Sequence, residues 1–379
     1  MGSILDYIDW RGDILFSERS FNEVDNLIFS ELAYVNMDGL MADRNEIITI
    51  GELYRRYVKA ENKSNIPLND PFPLFKKAAV CDRFKSIRLT RYVDIIDAEK
   101  QLQCSAVTFI LEDKSLYIAF RGTDGTITGW REDCNFSFLS ETPGQKAAVQ
   151  YVNETAEALD GSIRIGGHSK GGNFAVYSSA FCNEEIRKNR ITEVYSNDGP
   201  GFNSVIAGSE QYREILPKVK KIMPESSLVG ILLSSAEEKK VVKSTAKGIY
   251  QHHPCSWCVT GVSFVEADGL STESMLMSET LQKWLGGLSD DERKTFVASV
   301  FDTIEASGAA TLAELNKNRL VSYNAILKAA AQFSPQRRNE IFKILKNLAK
   351  TGGEVFFNEA KKTFEKIMEP QQKDGLSTT

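Results

Sequence analysis

The sequence feature that most constrains the fold is a glycine-rich turn between a predicted strand and a predicted helix. Residues 167–171 read GHSKG; they follow the predicted strand 162–166 and precede a helical stretch with small residues at 174–180. A G-x-S-x-G segment in this context turns sharply and exposes the hydroxyl of its Ser, and its glycines leave room for the turn. The same pattern also occurs in glycine-rich turns that hold no nucleophile. The interpretation of Ser169 as a nucleophile therefore requires that the chain also offers a base for it.

Predicted strands and helices alternate around this turn. A predicted hairpin at 106–111 and 116–120 is followed by strands at 162–166, 193–197 and 219–223, and by two apolar or β-branched runs at 228–233 and 240–244. Helices are predicted at 142–159, 171–188 and 209–216. Such alternation is typical of α/β proteins, in which helices cover both faces of a mainly parallel sheet. With the serine turn, it predicts an α/β-hydrolase fold.

The two ends of the chain are predicted to be helical. Apolar residues at helical spacing predict a packing helix at 21–35, and three prolines mark an exposed connection at 61–75. Beyond residue 278 only helices are predicted: one begins at the capping box 289–292, one at residue 334, and a last one includes 355–367.

These patterns divide the chain into three parts. We expect an α/β-hydrolase domain at 1–277, with its core at about 75–265, and an all-helical C-terminal extension at 278–370. The polar tail at 371–379 is expected to be disordered.

Composition limits the class of protein. A net charge of −5 argues against a nucleic-acid-binding protein, which is normally basic over at least one domain. Residues 1–16 carry four charged side chains and no apolar core of a signal peptide, and no apolar run approaches the length of a membrane span. We expect a cytoplasmic protein without a transmembrane segment, whose six cysteines form no disulfide framework.

Only three histidines are available as a base for Ser169. His168 precedes Ser169 in the turn, so its side chain should diverge from the Ser hydroxyl. His252 and His253 follow the last predicted strand, where the chain order Ser, acid, His places the base. We prefer His252, with His253 as the alternative.

The acid that orients the base should follow a strand between Ser169 and the histidines. Glu225 follows the predicted strand 219–223, and Asp198 follows the strand before it. We prefer Glu225 because the acid usually follows the later strand, with Asp198 as the alternative. Two backbone N–H groups should stabilise the oxyanion: that of Lys170, directly after the nucleophile, and that of Thr123, whose hydroxyl could also contribute.

These segments resemble the class 3 (fungal-type) lipases. In that family F-R-G-T precedes the oxyanion residue and G-H-S-x-G-G holds the nucleophile; here FRGT stands at 120–123 and GHSKGG at 167–172, with Trp130 and Asp133 between them. The resemblance covers roughly residues 100–260 and implies the α/β-hydrolase fold.

Three longer strings, at 21–26, 196–202 and 251–257, are similar to a group of bacterial hydrolase-like proteins related to those lipases, and this similarity also favours His252. Two positions depart from the lipase pattern. Glu225 stands where the family normally has Asp, and Lys170 replaces the usual apolar residue after the nucleophile.

The leading hypothesis is a serine esterase or lipase that cleaves a small ester or a lipid through an acyl-enzyme on Ser169, without a cofactor or metal. A second hypothesis is a scaffold that has lost catalysis and binds a partner through the C-terminal helices, which could also form a lid or a homodimer surface. A third is a zinc or redox site at 252–258, where two histidines precede a C-x-x-C pair.

Overall fold

The centre of the fold is an eight-stranded sheet. The computed structural model of the chain describes residues 1–60 and 71–305, together with the single positions 311 and 335. The chain divides into two units, 1–329 and 330–379, and all contacts described below lie in the first. The strands of the sheet are Ile48–Thr49 (β1), Arg88–Asp97 (β2), Leu102–Ile110 (β3), Leu116–Phe120 (β4), Ile163–His168 (β5), Ile191–Asn197 (β6), Val219–Pro224 (β7) and Lys239–Val242 (β8).

The strands lie side by side in chain order, antiparallel from β1 to β4 and parallel from β4 to β8. The mainly parallel sheet of the predicted α/β-hydrolase fold is therefore confirmed. The predicted hairpin is present as β3 and β4, and the strands predicted on either side of the serine turn are present as β5, β6 and β7. The carboxyl ends of these parallel strands meet at one edge, where open α/β sheets place their sites.

Helices cover both faces of the sheet, as predicted. They are Ile4–Arg11 (α1), Glu23–Leu32 (α2), Ile50–Lys59 (α3), Phe72–Ala78 (α4), Asp82–Lys85 (α5), Ile127–Asn135 (α6), Pro143–Ala158 (α7), Lys170–Phe181 (α8), Ser204–Ala207 (α9), Glu210–Ile215 (α10), Thr272–Gly286 (α11) and Asp290–Glu305 (α12). Single turns of other helix types lie at Ile186–Arg190, Leu216–Lys218, Gly248–His252 and Pro254–Ser256, and a two-stranded ribbon joins Val259–Thr260 (β9) to Ser263–Phe264 (β10).

Side-chain alternation along β4 explains why the sheet is covered on both sides. Tyr117 and Ala119 face a core that contains α1, α2 and α4, whereas Ile118 and Phe120 face a second core that contains α7, α8 and α10. All five residues of β4 are buried. A strand with apolar side chains at every position is stable only between two layers of helices.

Two helices begin at the caps that the sequence predicts. The hydroxyl of Thr142 accepts a hydrogen bond from the backbone N–H of Gln145, and Pro143 fills the first position of α7, where no N–H is needed. Ser289 and Glu292 form a reciprocal capping box ahead of α12.

The two clearest differences from the sequence analysis concern the run 228–233 and strand β2. The run 228–233 is a loop rather than a strand, because the N–H of Gly230 donates to the side chain of Asp198 instead of to a neighbouring strand. β2 was not predicted: a bulge between Thr90 and Val93, with Arg91 in the left-handed region, breaks the alternation that identifies a strand.

Helix α12 packs against α6. Val297, Phe301 and Ile304 of α12 form a small apolar cluster with Ile127 of α6, and Arg131 makes ion pairs with the acidic side chains at the end of α12. The predicted domain boundary at residue 278 falls inside α11, and the division there stays a prediction. The later predicted helices and the tail 371–379 lie outside the described residues, apart from the isolated position 335.

The helices within the described ranges include none with both the length and the apolar character needed to cross a bilayer. The first ten residues of the connection predicted at 61–75 are outside those ranges, and α4 begins soon after them.

Removing the carboxylate of Asp25 is expected to destabilise the fold by about 3–5 kcal/mol, because Arg83 would keep a buried charge without its partner. Asp25 of α2 is fully buried and binds the guanidinium of Arg83 through both oxygens, at 2.5 and 2.9 Å. The change is Asp25→Ala and the measurement is urea unfolding. Asp9→Ala, which breaks the exposed ion pair with Lys77, is the matched control and should cost less than about 1 kcal/mol. Equal effects of the two substitutions would contradict this account.

Candidate functional site

Ser169 occupies the turn between β5 and α8, as the GHSKG segment predicts. Its backbone has φ 58° and ψ −129°, in the left-handed region that is strained for any residue with a side chain. A tertiary contact holds it there, since its N–H donates to the carbonyl of Asn197 at the end of β6 (2.9 Å). The side chain is half-buried and lines a cavity. This is the geometry of a nucleophile elbow.

The glycines of the segment are required by close backbone packing. A Cβ at Gly171 would lie 2.1 Å from the carbonyl oxygen of Phe120 in β4, and a Cβ at Gly167 would lie 2.4 Å from the backbone of Gly171. Neither distance can accommodate a side chain. The spacing of the two glycines around Ser169 therefore follows from how α8 starts against the ends of β4 and β5.

His252 and Asp198 form the hydrogen bond on which the chemistry of this site depends. His252 Nδ1 lies 2.6 Å from Asp198 Oδ2; the imidazole is one quarter exposed and the carboxylate is fully buried. The ring of His252 lines the same cavity as Ser169. A buried carboxylate on Nδ1 fixes the tautomer that leaves Nε2 free to accept a proton, and it stabilises the imidazolium that forms.

The second oxygen of Asp198 is held by the loop after β7. It accepts hydrogen bonds from the hydroxyl of Ser227 (2.5 Å) and from the backbone N–H of Gly230 (3.1 Å). Two donors on one oxygen and an imidazole on the other satisfy the carboxylate in its ionised form. Asp198 itself has φ 49°, so the chain turns sharply at the end of β6 to present it.

The structure brings Asp198, and not Glu225, to the base. Glu225 is half-buried directly after β7; its backbone N–H donates to Val242 and its carbonyl accepts from Ser271. Among the described residues, no hydrogen bond joins its carboxylate to a histidine. The carboxylate that contacts His252 is therefore that of Asp198, the alternative of the sequence analysis, rather than that of Glu225, its first choice.

His253 does not share the surroundings of His252. Its Nδ1 accepts the backbone N–H of Cys255 and caps the short turn that follows. Burial, together with the neighbouring His252, lowers its pKa. Nδ1 of His253 is therefore occupied by a backbone N–H of its own loop, whereas Nδ1 of His252 contacts the buried carboxylate of Asp198.

The predicted oxyanion residues, Thr123 and Lys170, both line the cavity. The N–H of Lys170 lies in the first turn of α8, where N–H groups have no partner within the helix. The hydroxyl of Thr123 donates to Asp133 at 2.5 Å, so only its backbone N–H remains for an oxyanion. Burial raises the pKa of Asp133 to about 6 against the opposing effect of Lys170.

The side chain of Lys170 is buried and bound by α6. Its ammonium lies 3.3 Å from the carbonyl of Gly129, 3.5 Å from Glu132 and 3.8 Å from Asp133. The Lys that departs from the lipase pattern thus anchors the start of α8 to the helix behind the Thr123 loop. The sequence alone did not indicate this partner.

The cavity has a volume of about 560 Å³ and its lining is mainly apolar. The loops of the sheet contribute Val229 and Leu232, while α11 and α12 contribute Leu281, Trp284 and Phe296. The apolar run that was predicted to be a strand at 228–233 therefore forms part of the cavity wall. Such a volume suits a small organic ligand or an acyl chain.

Nothing in the described residues groups three or more His, Cys, Asp or Glu side chains in a way that could hold a metal ion. Within 252–258, Cys258 is buried and Cys255 is half-buried.

Comparison with known proteins finds one matching family and several solved structures of low sequence identity. The profile of a family described as Mbeg1-like matches residues 78–302. A search of curated proteins by sequence gives no match.

Three lipases are among the solved structures that match. An M37 lipase is 15% identical with a TM-score of 0.34, covering 54% of this chain and 68% of its own. A propeptide complex of the Rhizomucor miehei lipase is 14% identical with a TM-score of 0.35, covering 57% and 67%. The Lip2 lipase of Yarrowia lipolytica is 12% identical with a TM-score of 0.31, covering 47% and 72%. Because such distant folds host many reactions, the function has to be argued from the site.

Amide substitutions distinguish the two candidate acids. Asp198→Asn is expected to slow covalent labelling of Ser169 by a fluorophosphonate by about 10³-fold or more, because an amide favours the wrong tautomer of His252 and cannot stabilise its charged form. Glu225→Gln is the matched control and should react within about twofold of the unsubstituted chain. Labelling is followed by intact mass spectrometry over time, and the reverse order of rates would contradict the assignment of Asp198.

Proposed function

We propose that this chain, which belongs to the Mbeg1-like family, is a serine hydrolase that cleaves carboxylic esters. The observation that carries the proposal is the 2.6 Å hydrogen bond between His252 and the buried Asp198, in a cavity that Ser169 also lines. A hydroxyl, a carboxylate and an imidazole, in this chain order, are the components of acyl transfer on an α/β-hydrolase fold.

The first half of the reaction forms an acyl-enzyme. His252 Nε2 takes the proton of the Ser169 hydroxyl while the oxygen attacks the ester carbonyl, and a tetrahedral intermediate forms. Asp198 stays ionised and stabilises the imidazolium. When the intermediate collapses, the bond to the alcohol oxygen breaks and His252 returns the proton to the leaving alcohol.

The second half repeats the same steps with water. His252 removes a proton from water as the water oxygen attacks the acyl group on Ser169, and the new intermediate releases the carboxylic acid. The proton on His252 then returns to the Ser hydroxyl. The backbone N–H groups of Lys170 and Thr123 are proposed to hold the oxyanion in both halves.

The apolar cavity supports an acyl chain as the part of the substrate that binds there. Leu281, Trp284 and Phe296 line it, so an uncharged hydrocarbon chain leaves water on binding there, whereas a charged chain would lose its hydration without a partner. We therefore assign this cavity to the acyl chain of an ester or lipid. In this proposal α11 and α12 form a wall of the substrate site.

Loss of the Ser169 hydroxyl is expected to abolish activity. Ser169→Ala should lower the hydrolysis rate of p-nitrophenyl butyrate by about 10³-fold or more, because the acyl-enzyme can no longer form. Ser226→Ala, at a Ser that does not line the cavity, is the control and should remain within about twofold. Turnover by Ser169→Ala that matches that of the unsubstituted chain would refute the proposal, as would an unsubstituted chain that turns over no member of a panel of p-nitrophenyl esters.

Narrowing the cavity is expected to change the preferred chain length. Leu281→Trp should lower kcat/KM for the octanoyl ester by about tenfold while the acetyl ester changes less than twofold, because the larger ring takes the volume that the longer chain needs. Leu276→Trp, at an exposed position of the same helix, is the matched control and should change neither value. Equal effects on both esters would argue against an acyl site in this cavity.

A further inference from the structure

We propose that His168 is a positioning residue that holds the backbone of His252 in place for catalysis. The inference rests on the proposed function, in which His252 is the base. Asp198 holds the imidazole of His252, and His168 holds the main chain that carries it. No contact of His168 with the substrate is required.

The main evidence is a hydrogen bond between the two residues. His168 Nε2 lies 2.9 Å from the carbonyl oxygen of His252. A carbonyl only accepts, so His168 must carry its proton on Nε2 and donate it. His168 is also the residue directly before Ser169, so one residue joins the nucleophile to the loop of the base. This hydrogen bond therefore links the turn that carries Ser169 directly to the main chain of His252.

The other ring nitrogen explains why this proton stays on Nε2. His168 Nδ1 lies 3.1 Å from the hydroxyl of Tyr34. In a neutral imidazole with its proton on Nε2, Nδ1 accepts a hydrogen bond from that hydroxyl. Both side chains are buried. Tyr34 therefore supports the tautomer that donates to His252.

Glu31 is the nearest acid to this pair and does not oppose the arrangement at neutral pH. Its Oε1 lies 3.5 Å from His168 Nδ1 and makes no hydrogen bond within the part of the chain that the structure describes. Burial raises the pKa of Glu31 to about 8, so the carboxyl is mainly neutral at pH 7 and does not draw a proton onto Nδ1.

The charge state of His168 also suits its position beside the base. Burial, and then the neighbouring His252 and His253, hold the pKa of His168 well below its usual range. The ring centroids of His168 and His252 are 4.6 Å apart. Since His252 becomes positively charged during the reaction, a neutral neighbour avoids repulsion between two imidazolium ions. Tyr34 and Glu31 on the α2 side, and the two histidines of the loop, are the titratable groups that face His168.

The loop of the base needs such support because it is not part of the sheet. The turn Gly248–His252 is a short 3₁₀ helix, and its last two carbonyls both accept ring N–H groups. Trp257 Nε1 donates to Gln251 at 2.8 Å, and His168 donates to His252. Trp257 fixes the preceding residue, so His168 supplies the contact at the base itself.

Two substitutions of His168 distinguish the loss of its N–H donor from the loss of its imidazole ring. In His168→Leu the N–H donor is lost, and kcat for p-nitrophenyl butyrate should fall by about 10- to 100-fold with KM within about twofold, because a base displaced by about 1 Å transfers protons poorly. In His168→Gln the side-chain amide can still donate to the carbonyl, and kcat should recover to within about threefold of the unsubstituted chain. Full kcat in His168→Leu, or equal loss in both variants at equal Tm, overturns the proposal.

A second measurement does not depend on activity or on a variant. The chain has only three histidines, so NMR of the ¹⁵N-histidine-labelled chain resolves the tautomer and the charge of each imidazole ring. His168 should show the Nε2–H tautomer and no titration between about pH 5 and 8. The Nδ1–H tautomer, or titration near the usual value, overturns the role of His168 whatever the chain hydrolyses. Absence of turnover in the unsubstituted chain instead refutes the proposed function.

Discussion

The approach of the Phe120 carbonyl to the backbone of Gly171 is the constraint on which the rest of the site depends. Only glycine allows α8 to begin directly against the ends of β4 and β5, where a Cβ would lie 2.1 Å from that oxygen. Together with the hydrogen bond from the Ser169 N–H to Asn197, this packing holds Ser169 in its left-handed conformation. It also brings the loop after β4, which carries Thr123, to the first turn of α8. The nucleophile and the proposed oxyanion donors thus result from one contact between backbones.

The features that the sequence predicted correctly depend on local signals. The glycines around Ser169 are two residues from it, and the alternation of β4 is contained within five residues. Helix caps such as Thr142 with Gln145 act over a single turn. Patterns of this kind identify the layers of an α/β fold and the position of its serine turn without information about distant contacts.

The features that sequence could not predict depend on contacts between distant segments. The contact of Asp198 with His252 is supported by the N–H of Gly230, which donates to that carboxylate from 32 residues later in the chain, and no local pattern distinguishes Asp198 from Glu225. The pairing of Tyr34 with His168 spans 134 residues. Helix α2 gives another example. Its apolar spacing predicted a packing helix, but the sequence did not indicate that its buried Asn26 is hydrogen-bonded to Asn197, the residue before Asp198. Polar partners of this type become visible only when the layers are assembled.

The order of the strands has a consequence for how the chain assembles. Each strand of the sheet pairs with its neighbours in sequence, so the sheet can grow from one edge to the other as the chain is synthesised. The serine turn can form once β4, β5 and β6 are present. The loop that carries His252 and the helices that line the cavity are made later. During synthesis Ser169 is therefore in place before His252, so under the proposed function the chain cannot act as a hydrolase until the loop that carries His252 has been added.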